Sequence, residues 1–183
     1  MEKITPIENL DEMIKTGSFE GLTAAMLTDA GICPTCFNKE HGNFLYGDNS
    51  DKMLYENDSF ECFLVGDPRA EGHTAISSKK HYKDMMEIPD DLCEEIFVFA
   101  KKAMSILKLV YNSESVYLCT MCDGPMNHFH IQLIPRYASE KRGSKNFVKP
   151  RQEYKEDKEK INTISPHYSG GILYLQIILI HMR

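Results

Sequence analysis

One segment, His128-Phe129-His130-Ile131-Gln132-Leu133-Ile134-Pro135-Arg136, constrains this chain more than any other. Polar and apolar residues alternate along it, and in a β-strand successive side chains point to opposite faces. His128, His130 and Gln132 therefore share one face. Phe129, Ile131 and Leu133, with Pro135 able to join them, line the face that must meet a core. Arg136 closes the polar row with a cation. A face that is merely solvated would carry Lys, Glu and Thr, so two imidazoles and an amide in a row point to chemistry. The plainer alternative is the solvent side of an amphipathic strand.

The remaining elements supply the partners such a strand needs. Residues Ile7 to Ala30 read as helix in two pieces, broken at Thr16-Gly17-Ser18, with Leu10, Met13 and Ile14 and then Leu22, Met26 and Leu27 as apolar stripes. Cys33-Pro34-Thr35-Cys36 reads as a tight turn. Three β-rich runs follow, Lys52 to Tyr55, Phe60 to Val65 and His73 to Ser77, separated by turn residues at Asn57-Asp58 and Gly66-Asp67-Pro68. Asp91-Leu92-Cys93-Glu94 reads as a capping box opening a long amphipathic helix that ends at Asn112-Ser113. A strand from Ser115 to Cys122 then precedes the histidine strand, joined to it by Asp123-Gly124-Pro125. Two strands so joined predict an antiparallel hairpin. The fold class expected is α+β: a mainly antiparallel sheet packed by one long helix.

Beyond Tyr137 the chain turns strongly polar, and Ser139 to Lys160 reads as a loop and a solvated helix wrapping the domain. The apolar run Ile172 to Leu179 is expected to pack on the core or on a subunit interface.

Composition narrows the function classes. The formal net charge is -6, which disfavours non-specific binding to nucleic acid or to an anionic membrane. It leaves a small anionic ligand open, because a few local donors can outweigh the global field. The start of the chain lacks a signal-peptide pattern and the apolar run is too short to span a bilayer, so a cytoplasmic protein is expected. Six cysteines are then read as reduced thiols. Cys33 and Cys36 have the spacing of two ligands on one tetrahedral zinc, with His41 close behind as a rival third. Cys62, Cys93, Cys119 and Cys122 are expected as buried thiols. His73 is expected as a structural residue at a strand start.

An imidazole is a natural nucleophile for phosphorus near neutral pH. It is largely uncharged there, and one ring N–H can donate to a carbonyl while the other nitrogen's lone pair attacks. The histidine strand resembles the signature of the histidine-triad (HIT) superfamily, His-φ-His-φ-His-φ-φ followed by Pro-Arg. The similarity extends to Gly72-His73 and to Lys79-Lys80-His81. The resemblance implies a HIT-like antiparallel sheet, usually in a homodimer. It divides the chain into an N-terminal helical segment (1–31), a catalytic domain (32–137) and a C-terminal extension (138–183). It implies a nucleotide as the small-molecule partner, with neither nucleic acid nor membrane, and carries the family's nucleophile onto His130 as the catalytic residue.

One departure bears on the reaction. Gln132 stands where the third histidine usually stands, a variant resembling the galactose-1-phosphate uridylyltransferase and dinucleoside-polyphosphate phosphorylase branch. An amide has no useful pKa near neutrality, so Gln132 favours leaving groups that need no proton and acceptors other than water. The expected activity is a nucleotide phosphohydrolase or nucleotidyltransferase; the alternative is a non-catalytic, zinc-stabilised nucleotide-binding or interaction module. Substrate contacts are expected from Asn127, His128, Gln132 and Arg136. The loop between Gly124 and His128 is shorter than the usual phosphate cradle, and the ribose-binding acid is out of register, with Asp67 nearby but displaced. Zinc-bearing relatives complete their site at positions resembling His81 and His128, so the implied structural zinc ligands are Cys33, Cys36, His81 and His128.

Overall fold

The computed structural model describes residues 4–47, 50–121, 124–142 and 150–169, the last four as backbone alone. The apolar run Ile172 to Leu179 and Cys122 lie outside the described residues. The strands β1 (Met53–Glu56), β2 (Phe60–Leu64), β3 (Thr74–Ser78), β4 (Ser115–Cys119) and β5 (His130–Arg136) form one sheet in the order β1-β2-β3-β5-β4. Every pairing is antiparallel, including the β4–β5 hairpin. The predicted α+β architecture is the one observed.

The alternation read from β5 decides where the core lies. Ile131 and Leu133 are fully buried with Phe129, and Ile131 sits opposite Ile76 of β3. Against this face packs the long helix Asp90–Val110. Its Ile96, Ala100, Ala103 and Leu107 recur at helical spacing and are buried completely. Earlier helices Leu10–Thr16 (α1), Ala24–Asp29 (α2) and Pro34–Glu40 (α3) make the long helix α4 in chain order, with Lys158–Ser169 as α5. Ile161 and Ile164 of α5 complete the same core. The helix of the polar region thus begins at Lys158, near the end of that region. Residues 150–157 are irregular, and the apolar pair that anchors α5 lies beyond them.

Two other local expectations are corrected. Cys33-Pro34-Thr35-Cys36 is not an isolated turn but the entry to α3, with Cys33 as N-cap and Pro34 in the first turn, where its missing N–H costs nothing. The capping box at Asp91 does not form. Helix α4 begins one residue earlier behind Pro89, and the Asp91 carboxylate accepts from the Leu92 N–H at 2.8 Å, with Asp90 and Asp91 still set against the helix dipole. Helices α1 to α3 gather Leu22, Leu27 and Phe37 into a second, smaller core that Phe44 and Leu45 also join. The boundary drawn at residue 31 falls inside that cluster.

The opposite face of the sheet bears the cleft. Ser77 lies opposite His130 and Ala75 opposite Gln132, so small side chains on β3 leave room in front of the polar side chains of β5. Gly72 sets that register. Its φ is +73, and a Cβ there would lie 2.6 Å from the Tyr111 ring, so only glycine lets the chain pass α4's last turn into β3.

Candidate active site

A cleft of about 1050 Å³ opens on this face, with His130, Gln132, Ala75 and Ser77 on its floor. The donors and acceptors around His130 can be assigned without ambiguity, because both ends of the chain of bonds are backbone groups. The Arg69 N–H can only donate, and it meets His73 Nδ1 at 3.1 Å. The His73 proton therefore sits on Nε2, which donates to Gln132 Oε1 at 3.0 Å. That turns the amide nitrogen of Gln132 towards His130 Nε2, 3.2 Å away. At the far end the His128 carbonyl can only accept, and it does so from His130 Nδ1 at 2.8 Å. The lone pair of His130 thus lies on Nε2, facing the cleft side of β5. Burial, then the nearby charge of Arg151, pushes the His73 imidazole down to about 4, so the ring stays neutral as this assignment requires.

His73 is therefore more than the structural residue expected at a strand start. It is 1% exposed and orients the amide that touches His130. The Gly72-His73 step was visible in the sequence; its link to Gln132 was not.

His128 precedes β5 but still lines the cleft with His130 and Gln132. Strand β5 starts two residues later than predicted, and ahead of it the Phe129 N–H bonds the Tyr82 carbonyl at 2.7 Å. The His128 ring then turns towards the α3 cysteines. Its Nε2–H donates to the Ser78 carbonyl at 2.8 Å, which leaves the Nδ1 lone pair free to ligate. Cys33, Cys36, His81 and His128 bring their ligand atoms together within 4.8 Å. Cys36 Sγ lies 3.3 Å from His128 Nδ1 and 3.4 Å from His81 Nδ1, and Cys33 Sγ is 3.7 Å from His128 Nδ1. Ligands about 2.3 Å (sulfur) and 2.0–2.1 Å (nitrogen) from a tetrahedral ion stand roughly 3.4–3.8 Å apart, so the four side chains fit one. Burial, then the neighbouring Cys33, raises the Cys36 thiol to about 11; a divalent cation would reverse this by favouring the thiolate. His41 instead packs its ring on Phe37 at 4.2 Å and on Phe19 at 5.4 Å. Of the other thiols, Cys62 is buried completely, while Cys93 and Cys119 are only partly buried.

Two expected substrate contacts point elsewhere. Arg136 is 4% exposed and faces away from the cleft lining, paired with Glu114 at 2.6 Å and donating to Ser115 and the Glu140 carbonyl. Asn127 donates to the Lys83 carbonyl at 2.6 Å. In both cases the neighbouring chain captures the polar group before any ligand can. Conversely, Arg151 and Tyr154 reach the cleft from beyond residue 150, and Lys39 and Lys52 line it. They stand in polar runs with no distinguishing pattern, so the sequence offers no signal for them.

Comparison with known proteins places the fold. An uncharacterised HIT-like protein of Methanocaldococcus jannaschii is 33% identical over 99 residues, spanning 50% of this chain and 73% of the relative. The fold is similar to that of a diadenosine triphosphate hydrolase of Plasmodium falciparum (TM-score 0.52, 16% identity, 68% of this chain and 80% of the other). It is also similar to that of a zinc-bound histidine triad family protein of Mycobacterium smegmatis (TM-score 0.51, 14% identity, 64% and 83%). Residues 47–139 match the family model described as HIT domain, and the chain belongs to that family.

Proposed function

We propose that the protein is a nucleotidyl hydrolase or transferase acting on a nucleoside phosphate or dinucleoside polyphosphate, with His130 as nucleophile. The observation that carries this reading is the one-way chain of hydrogen bonds that leaves the His130 lone pair on Nε2 beside a roomy cleft. In the first step a bond forms from Nε2 to the α-phosphorus, and the bond to the leaving oxygen breaks, its electron pair departing with the leaving group. Nδ1 keeps its proton and its bond to the His128 carbonyl, whose dipole offsets the positive charge gained by the ring. Gln132 gives up its contact with Nε2 and its N–H turns to a phosphate oxygen; positioning and charge do most of the work in such displacements.

Gln132 can offer a hydrogen bond but not a proton. That supports phosphates as leaving groups and an oxyanion acceptor in the second step, in the manner of the phosphorylase and uridylyltransferase branch. We assign Cys33, Cys36, His81 and His128 to a structural zinc, which would tie α3 to the residue whose carbonyl orients His130. Such thiolate ligands suit a reducing compartment.

The test is incubation with nucleotides labelled at the α-phosphate, followed by a search for a protein-bound adduct. The expected result is an adduct that disappears in His130→Ala and is cleared by phosphate or a sugar phosphate faster than by water. No adduct with any common nucleotide, or one that persists in His130→Ala, would end the covalent reading.

A further inference from the structure

The family domain ends at residue 139, yet the cleft does not. Segment 150–157 is strapped back over the β2–β3 loop. The Gln152 N–H donates to the Pro68 carbonyl at 2.8 Å, and its side-chain amide reaches the Arg69 carbonyl at 3.4 Å. This fixes Arg151 on the cleft rim, where Nη1 donates to the Asp67 carbonyl at 3.0 Å and to its carboxylate at 3.1 Å. Three residues on, the buried Tyr154 hydroxyl has no hydrogen-bond partner among the described residues, and its ring lies under Lys52 Nζ at 5.2 Å.

Two of the cations that line the cleft act on different groups. Lys39 is paired with Glu61 at 2.8 Å, and its charge is felt at Cys36 and His128. Arg151 is felt at His73, the residue that orients Gln132. Its pair with Asp67 is exposed on both sides (41% and 69%), the kind of ion pair that contributes little and exchanges readily. Among the described residues both contacts use one nitrogen, Nη1, of a guanidinium built for two-pronged contact with phosphate, so its other N–H groups can take a second partner.

Given the proposed attack by His130, charge must go somewhere. Gln132 supplies no proton, so the leaving oxygen departs carrying its electron pair and calls for a cation. Lys52 of the family domain also lines the cleft but is held by Asp51 and over the Tyr154 ring, whereas Arg151 has the readily exchanged partner. We propose that Arg151, carried by the segment beyond that domain, recognises the phosphate tail: it exchanges the Asp67 carboxylate for the phosphate that leaves, and so selects substrates whose leaving group is itself a phosphate or polyphosphate. Asp67 is then a placeholder that holds the guanidinium at the rim until the tail arrives.

The proposal rests on the nucleotidyl reading but is tested separately from it, by binding. Isothermal titration compares nucleoside monophosphates with the α,β-methylene diphosphates of the same nucleosides (adenine, guanine and uracil forms). The native protein should bind the diphosphate about tenfold more tightly, as expected for one charge-assisted contact. Arg151→Gln should reduce that ratio to about twofold or less. Asp67→Asn, which removes the competing carboxylate, should hold or widen it. A preference that survives in Arg151→Gln, a native protein with no preference, or a ratio that collapses in Asp67→Asn would each overturn the proposal. Loss of the preference in Arg151→Gln without any His130 adduct would support the tail contact and remove the covalent mechanism alone; absence of all nucleotide binding removes both.

Discussion

Acidification should destabilise this protein through His73. The ring is 1% exposed, accepts from the Arg69 N–H and donates to Gln132, an arrangement available only to the neutral imidazole. Its folded-state pKa is pushed from 6.5 down to about 4, first by burial and then by Arg151. The unfolded chain therefore takes up the proton first. Stability contributed by the neutral ring is whole above pH 6.5 and is lost as the pH falls towards 4. A separation of about 2.5 at 1.36 kcal/mol each gives about 3 kcal/mol over the whole window, of which about 2 kcal/mol is lost between about pH 7.5 and pH 5. Other carboxylates and histidines titrate too, so the measurement is a difference. Urea unfolding of the native protein and of His73→Asn, whose amide does not titrate, is followed across this range. The native protein should lose about 2 kcal/mol more than the variant on going to about pH 5. Stability curves that run parallel would refute the assignment of a neutral His73, and with it the orientation of Gln132.

Four further outcomes are expected. Metal analysis should find one zinc on the native protein and none on Cys33→Ser, which should also unfold at a lower temperature; equal metal content in the two excludes the ligand set. Gly72→Ala forces a Cβ to within 2.6 Å of the Tyr111 ring at positive φ, and calorimetry should find it destabilised by about 2 kcal/mol or more; a neutral result would mean that the approach to β3 is not fixed there. Arg136→Ala should lower the unfolding midpoint while leaving the nucleotide Kd within about twofold, and a tenfold loss of affinity would return that cation to the cleft. Gln132→His restores a titratable group, so clearance of the labelled adduct should shift from phosphate towards water; an unchanged ratio would show that the amide does not set the acceptor.

What could be read from the chain and what could not divide along physical lines. The core face of β5, the antiparallel hairpin and the stripe of α4 follow from alternation and helical spacing, which are local and repeat over many residues. Cys33 and Cys36 were visible from their spacing, and His130 from its place in the row. His128 lines the cleft as its place in the row suggests, but its Nδ1 meets Cys33 and Cys36, a contact between stretches far apart in the chain. Arg136 and Asn127 were assigned to ligand because polar side chains near a reactive histidine invite it. Their actual partners, Glu114 and the Lys83 carbonyl, come from distant turns that no local pattern announces. Arg151 fails for the same reason in reverse, since its role depends on where an irregular segment happens to return.

The sequence of bonds from Arg69 to His128 has a consequence of a different kind. Its two ends are backbone groups that cannot exchange donor for acceptor, and an amide sits in the middle. No link can reverse unless all do, and the ends forbid it. Such a chain transmits polarisation, strengthening each bond through its neighbours, but it is an insulator for protons. The reactive imidazole is thus held electrostatically while being cut off, along this route, from any supply of hydrogen ions. Chemistry at His130 must draw its protons from the cleft side, from water or from the ligand that enters, and what that ligand can donate becomes part of the catalyst.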